Sequence, residues 1–473
     1  MGDLMEAEHI QVPGELADLA GCPASWGDGL ELAAQPDRKK AGEEGGCAGL
    51  AWASCAMRGW RESMEDASLV LPVGYVGGEW RDAALFGVFD GHGGEQVSRL
   101  VARRLPGALA ELGGELRQDP EKGLAAAYLR MDEFLRGPGS AAELREMTLP
   151  GNEVRDSAEF TGTTAVCCVL EVGATPTEGK ITVANVGDSR AVLCRQGLAV
   201  ALTEDHKPNL PRETARIEAA GSYVEEETVP GGGTGYRVNG NLNLSRALGD
   251  LHYKEPHLPP AEQTISGVPD TQSLSWKVGT DEFLLLGCDG VWECMSSQEA
   301  VSFVRSRLPA QGVKNKLVSV LGELLDACCA SHPKQRGGLG CDNLTAVLVR
   351  FEDPEEVAAA RARGAAGEPE AGQDGASEGR NSRQMDAAVS QVIQRLAAGK
   401  RRKPETAAEK QERLQREAEE REEAEAREKE ERAQSEKRLA RRRERELLES
   451  RTKKKVKFCA AAEDSEDAGD EDF

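Results

Sequence analysis

The chain lacks most of the features that would make its chemistry easy to name. None of its twelve cysteines forms a CxxC pair, and their spacing is irregular. With no signal-peptide pattern at the start, this reads as reduced thiols in a cytoplasmic or nuclear protein, not a disulfide framework. The six histidines do not cluster at the spacing a zinc site needs. No apolar run approaches the ~20 residues of a membrane span. The net charge of −23 argues against nucleic acid as a partner of the whole protein. The run Pro230-Gly231-Gly232-Gly233-Thr234-Gly235 lacks the Gly-Lys-Ser/Thr ending of a phosphate-cradling loop, so it reads as a mobile loop. Gly2 is placed for myristoylation, but Glu6 stands where that signal wants Ser or Thr.

What is present is unevenly spread. Hydrophobic residues make up 39% and charged residues 30%, so part of the chain is too polar to pack. Residues 1–49 mix Gly, Pro, Ala and acids without period and read as an irregular N-terminal arm. Residues 50–352 carry repeated apolar runs, enough for a large core. Strands are expected at 84–89, 164–170, 181–186, 191–195, 283–287 and 344–351, and helices at 96–112, 123–135, 211–220, 297–307 and 313–330. Residues 353–383 read as a flexible linker. A charged helical extension follows at 384–452. It opens with an amphipathic stretch (Met385, Val389, Val392, Ile393, Leu396) that fits docking on the catalytic domain or on a partner equally well. Acids precede bases by four residues at Glu409–Arg413, Glu412–Arg416 and Glu417–Arg421, which supports an isolated helix. Its leucines are too sparse for a continuous coiled-coil seam. Residues 453–473 form a basic, then acidic, disordered tail.

The chemistry lies in scattered acids. Asp90 follows the apolar run Leu85-Phe86-Gly87-Val88-Phe89, and Asp289 follows Phe283-Leu284-Leu285-Leu286-Gly287-Cys288. Each precedes a glycine, which lets a backbone carbonyl approach a ligand. A single Asp-Gly at a strand end would be an ordinary turn. Two of them, with Asp342 ahead of an apolar strand and Glu65-Asp66 near the start, point instead to converging carboxylates. Oxygen ligands without His or Cys partners suit Mg²⁺ or Mn²⁺. His92, two residues past Asp90, is placed to protonate a leaving group.

These elements resemble the PPM, or type 2C, family of metal-dependent serine/threonine protein phosphatases. The matching runs fall in family order: Gly59-Trp60-Arg61 with Met64-Glu65-Asp66, Asp90-Gly91-His92-Gly93-Gly94, Thr161-Gly162-Thr163-Thr164, Asn185-Val186-Gly187-Asp188-Ser189-Arg190, Asp205-His206-Lys207-Pro208, Leu244-Ser245-Arg246-Ala247-Leu248-Gly249-Asp250, Cys288-Asp289-Gly290-Val291-Trp292-Glu293 and Asp342-Asn343-Leu344-Thr345. The resemblance implies an α+β fold, a central sandwich of two antiparallel β-sheets with helices on both faces. It implies two metal ions per site and a weaker third. Asp90 would bridge both, Asp289 and Asp342 would complete one shell, and Glu65 and the Gly91 carbonyl would serve the other. Asp66 would act through bound water, and Asp188 would help hold the third ion. Arg61 would hold the substrate phosphate, and His92 would be the general acid.

The implied activity is hydrolysis of phosphoserine and phosphothreonine in phosphoproteins by in-line attack of a metal-activated hydroxide. No His-Cys dipeptide occurs, which disfavours a cysteine-based phosphatase. The polar segment between Arg136 and Glu159 and the glycine-rich residues 223–241 depart from the family pattern. The latter belongs to the flap beside the site, where Arg246 is expected to contact substrate. Cys288 and Cys341 are expected to be packing residues. The rival reading is a scaffold with a phosphatase-like domain. Lys455, Val456 and Phe458 resemble a docking motif for type-1 protein phosphatase, and the same lysines suit an import receptor.

Overall fold

The computed structural model of the chain describes residues 32–47, 49–74, 80, 83–112, 118–229, 233–312, 316–333 and 338–365. Two antiparallel sheets lie at its centre. The first runs, side by side, β1 (Leu32–Cys47), β2 (Leu50–Arg61), β16 (Leu344–Phe351), β15 (Asp281–Gly287), β9 (Arg190–Arg195) and β10 (Leu198–Ala201). The second runs β14 (Asp270–Lys277), β8 (Glu178–Val186), β7 (Ala165–Val172), β4 (Ala83–Phe89) and β3 (Ala67–Leu71). A small sheet joins β13 (Leu248–Gly249), β6 (Gly162–Thr163) and β5 (Gly91–His92), and β11 (Val224–Val229) pairs with β12 (Gly233–Val238) as a ribbon beside α4 (Pro211–Ala219), whose Ile217 clusters with Val224 and Val238.

Alternation along each strand explains the layers. Ala84, Phe86 and Val88 of β4 join Val166 and Cys168 of β7 in a cluster shared with Leu284 and Leu286 of β15 and Val347 and Val349 of β16. That cluster is the packed interior of a sandwich. Leu85 and Phe89 face the other way, into a second cluster with α1 (Gln96–Glu111), α2 (Pro120–Arg136) and α3 (Ser140–Met147). Ala346 and Leu348 likewise meet α5 (Asp289–Trp292), α6 (Ser297–Arg305) and α7 (Leu317–Cys328). The central strands are covered on both faces, so they read as continuous apolar runs.

Register brings the functional loops to one end. Gly287 at the close of β15 pairs with Ala346 near the start of β16, and Leu344 pairs with Met57 toward the close of β2. In the second sheet Phe89 pairs with Ala67, and Ala165 pairs with Val186. The connections carrying Arg61, Glu65, Asp66, Asp90, Asp188, Asp289 and Asp342 therefore emerge together.

Three expectations are corrected. Residues 32–47 are a strand, not part of an irregular arm. β1 is an edge strand of mixed small and charged residues, where Gly42 lies against Val318 and Gly45 against Trp52, so it shows no apolar alternation. Residues 354–365, expected as linker, form α8 (Pro354–Ala365), with Glu355 and Glu356 in its first turn. The glycine-rich part of the flap is not a loop alone, because the β11–β12 ribbon flanks its tip. The expected charged helix and tail lie outside the described residues.

Candidate metal centre and active site

Four connections build the site. Asp90 leaves β4 with its backbone clamped: its N–H donates to Thr164 Oγ1 at 3.1 Å, and its carbonyl accepts the Thr164 N–H at 2.9 Å. Asp289 opens α5, two residues after Gly287 closes β15. Asp342 precedes β16, and one of its oxygens accepts the Asn343 N–H at 2.7 Å. The 58–66 connection is stapled from the same place. The Asn343 amide donates to the carbonyls of Arg58 at 2.8 Å and Ser63 at 3.0 Å, and its Oδ1 accepts the Glu65 N–H at 2.9 Å. Glu65 is thereby aimed, with one carboxylate oxygen taking the Ser63 hydroxyl at 2.7 Å and the other the Gly94 N–H at 2.9 Å. Gly91 packs so tightly that a Cβ there would sit 2.3 Å from the Glu65 carbonyl.

The tightest group of candidate ligand atoms among the described residues is Asp66, Asp90 and the sulfur of Cys288, all within 4.8 Å of one another. Asp66 is 7% exposed and accepts the Thr345 hydroxyl on Oδ2 at 2.6 Å. Its Oδ1 is buried without a hydrogen-bond donor. Burial pushes the Asp66 carboxyl up to about 7, against the pull of Thr345 and with help from Asp342. Burial, then Asp289, Asp66, Asp342 and Asp188, holds Asp90 well above the ordinary carboxylate range. Burial, then Glu293, Asp188 and Asp342, does the same to Asp289, opposed by Lys207. The acids expected from sequence thus gather at one place, and they repel one another.

Other residues take up specific positions. Arg61 donates to Asp342 at 2.7 Å. Burial weakens its proton hold, but Asp342 more than restores it. His92 Nε2 lies 2.6 Å from Asp250 Oδ2. Burial disfavours its charge, yet Asp250 wins and raises its pKa. Asp188 is ion-paired with Lys207. Cys288 is more than a packing residue, because its sulfur accepts the Thr345 N–H at 3.2 Å beside the acids. Cys341 is buried.

Arg246 corrects an expectation. It is 9% exposed and does not reach into the site. Its guanidinium grips Glu213 at 2.6 Å, the Val268 carbonyl at 3.0 Å and Asp270 at 2.9 Å. A buried guanidinium needs its donors filled, and this network fills them. Glu293 and Lys207 were given no role from sequence. Glu293 stands one helical turn past Asp289, a signal the i, i+4 spacing carries. Lys207 next to His206 showed no such pattern.

Clustered, buried carboxylates with raised proton affinity and an unpartnered oxygen are a charge problem that divalent cations solve. Hard oxygen donors fit Mg²⁺ or Mn²⁺. With the Arg61 guanidinium and the His92 imidazole beside them, they define a metal-dependent hydrolase of phosphate esters. A sequence model of protein phosphatase 2C matches residues 50–336. The probable protein phosphatase 2C 4 of Paramecium tetraurelia is 37% identical, covering 67% of this chain and 96% of that relative. The probable protein phosphatase 2C 58 of Oryza sativa subsp. japonica is 35% identical over 67% of this chain and 88% of its own. The crystal structure of a phosphatase from Toxoplasma gondii aligns with a TM-score of 0.50 at 26% identity, covering 66% of this chain and 96% of that one. The chain belongs to the protein phosphatase 2C family and is a metal-dependent protein serine/threonine phosphatase. These likenesses favour the enzyme over the scaffold reading.

Proposed function

We propose that the acidic end of the sandwich holds two Mg²⁺ or Mn²⁺ ions and a weaker third. Asp90, Asp289, Asp342, Glu65 and the Gly91 carbonyl would ligate the pair, with Asp66 outside them and Asp188 beside Asp289. When bound, such cations supply Lewis-acid charge and lower the pKa of water. The remaining roles belong to side chains. Arg61 offers a guanidinium fork to two phosphoryl oxygens once Asp342 turns to a cation. Asp250 occupies Nε2 of His92 and raises the ring's affinity for a proton, leaving Nδ1 to protonate the departing serine or threonine oxygen. Thr345 and Asn343 hold Asp66 and Glu65 in place.

The observation that carries this reading is the buried Asp66 oxygen with no hydrogen-bond donor, set among acids that raise one another's pKa values. The experiment is phosphopeptide hydrolysis by the full chain, with and without Mn²⁺, for wild type and Asp289→Asn. Activity that needs Mn²⁺ and vanishes in the variant supports the reading. Metal-independent hydrolysis overturns it.

The tail adds a partner proposal. Lys455, Val456 and Phe458 lie outside the described residues and suit a type-1 phosphatase or an import receptor, the latter consistent with a cytoplasmic and nuclear protein. Alanine at Val456 and Phe458 separates the two: lost phosphatase capture supports docking, and lost nuclear entry supports import.

A further inference from the structure

The segment from Gly137 to Phe160 is longer than the join between α2 and β6 requires. It is tied down at several points. Arg104 grips Glu143 through two bonds of 2.7 Å. The Gln96 amide donates to Thr148 Oγ1 at 3.2 Å and to the Glu153 carbonyl at 2.9 Å. The Leu149 N–H reaches Glu95 at 2.8 Å, and Arg145 pairs with Asp156. At its end the Phe160 carbonyl lies where a Cβ on Gly93 would be 2.3 Å away.

This anchoring delivers Arg155 to the lip of the acidic site. A Cβ on Gly94 would lie 3.1 Å from Arg155 Cδ and 3.4 Å from its Nε. Gly94 is the residue whose N–H holds the Glu65 carboxylate. Arg155 is 33% exposed, and its ion-pair partner among the described residues is Glu153, at 2.8 Å and 73% exposed. So exposed a pair exchanges easily. The contrast with Arg190 and Arg246 is plain. Arg190 forks onto Asp205 at 2.9 and 2.7 Å, and Arg246 is buried in its network. Against neighbouring Gly93 the lip continues with Phe160, 39% exposed, its ring 4.7 Å from that of His252.

We propose that Arg155 is a specificity-determining residue, receiving an oxyanion-bearing side chain that flanks the phosphorylated residue of the substrate. The proposal rests on the phosphatase reading above. A guanidinium fork matches a carboxylate or a second phosphate in geometry and charge. Its anchored backbone means that little ordering cost remains when substrate arrives. In a chain of net charge −23, this residue would let an acidic segment approach an acidic site.

The test uses the full chain with Mn²⁺ and one phosphoserine peptide in which each of the three positions on either side is varied singly. The variants are Asp, phosphoserine, Ala and Lys. For wild type, kcat/KM at one position or more should favour the acidic peptide over the Ala peptide by roughly three- to tenfold, mainly through KM. That ratio should fall to about one in Arg155→Ala and reverse toward Lys in Arg155→Glu, as charge complementarity requires. A preference shared by Asp and phosphoserine assigns the site to any oxyanion, and one confined to phosphoserine assigns it to a second phosphate. A flat wild-type profile overturns the proposal. So does a preference that survives Arg155→Ala, or a variant that loses all peptides alike. Hydrolysis of p-nitrophenyl phosphate by wild type separates the two readings. Ester hydrolysis with a flat peptide profile sinks this inference alone, and no hydrolysis of ester or peptide sinks the phosphatase reading with it.

Discussion

Two groups of acids lie on either side of Asp188, and they are treated in opposite ways. Around Asp90 the carboxylates crowd together with little counter-charge, and their pKa values rise. Under the flap, Glu213 and Asp270 are surrounded by Arg212, Arg216, Arg246 and His206. Burial alone would raise Glu213, but Arg246 and Arg216 bring it down to about 2. Asp270 falls well below its ordinary value, first through His206 and then Arg246. Acids paired with arginine hold structure together, whereas acids left facing one another are kept for a cation that is not a side chain. His206 joins the two regions, accepting the Gly187 N–H at 3.1 Å beside Asp188 while its other nitrogen meets Asp270 at 3.2 Å.

The comparison is broken most severely by removing one acid from the crowded group. Asp289→Asn should lower kcat/KM on the order of a thousandfold, because metal charge on the phosphate is worth several kcal/mol. The same variant should melt higher than wild type in EDTA, since one repulsive charge is gone. Calorimetry in EDTA and a phosphopeptide assay check both halves. Across the divide, Arg246→Ala should cost about 3 kcal/mol by removing one of the arginines that balance Glu213 and by unpairing Asp270 from it. Urea titration measures that cost. Thr345→Val sharpens the account at the edge of the acidic group. Losing the hydroxyl on Asp66 should weaken Mn²⁺ affinity about 10- to 100-fold, measured by calorimetric titration.

The smallest effect is on pH dependence, and its sign differs between the regions. Asp66 rises from 3.8 to about 7, so in metal-free protein its contribution is full below 3.8 and is lost as pH rises through about 7. Glu213 drops from 4.5 to about 2, so its contribution is present above 4.5 and is lost as pH falls through about 2. Melting temperature in EDTA should therefore decline between pH 5 and pH 7.5 by ~2–4 °C. Added Mn²⁺ should flatten the decline.

Much of this was legible in the sequence. The apolar runs at 84–89, 283–287 and 344–351 fall within the observed strands. The acids flanking them, Asp90 and Asp289 after and Asp342 before, stand at the shared end because antiparallel register forces it. β1 was invisible because its glycines pack against Trp52 and Val318 without any apolar alternation. Arg246 misled because a motif position says nothing of burial, and its partners Glu213 and Asp270 lie 33 and 24 residues away. The closeness of Cys288 to Asp66 and Asp90 depends on how two sheets face, which spacing along the chain does not encode.

The central claim is that the crowded acids hold protons only until divalent cations replace them. The direct measurement is Mn²⁺ titration by calorimetry at pH 6.5 in two buffers of different ionisation enthalpy. Binding with net release of protons from wild type, and release reduced in Asp66→Asn, is the predicted result. Binding with no proton release, or no Mn²⁺ binding at all, would contradict it.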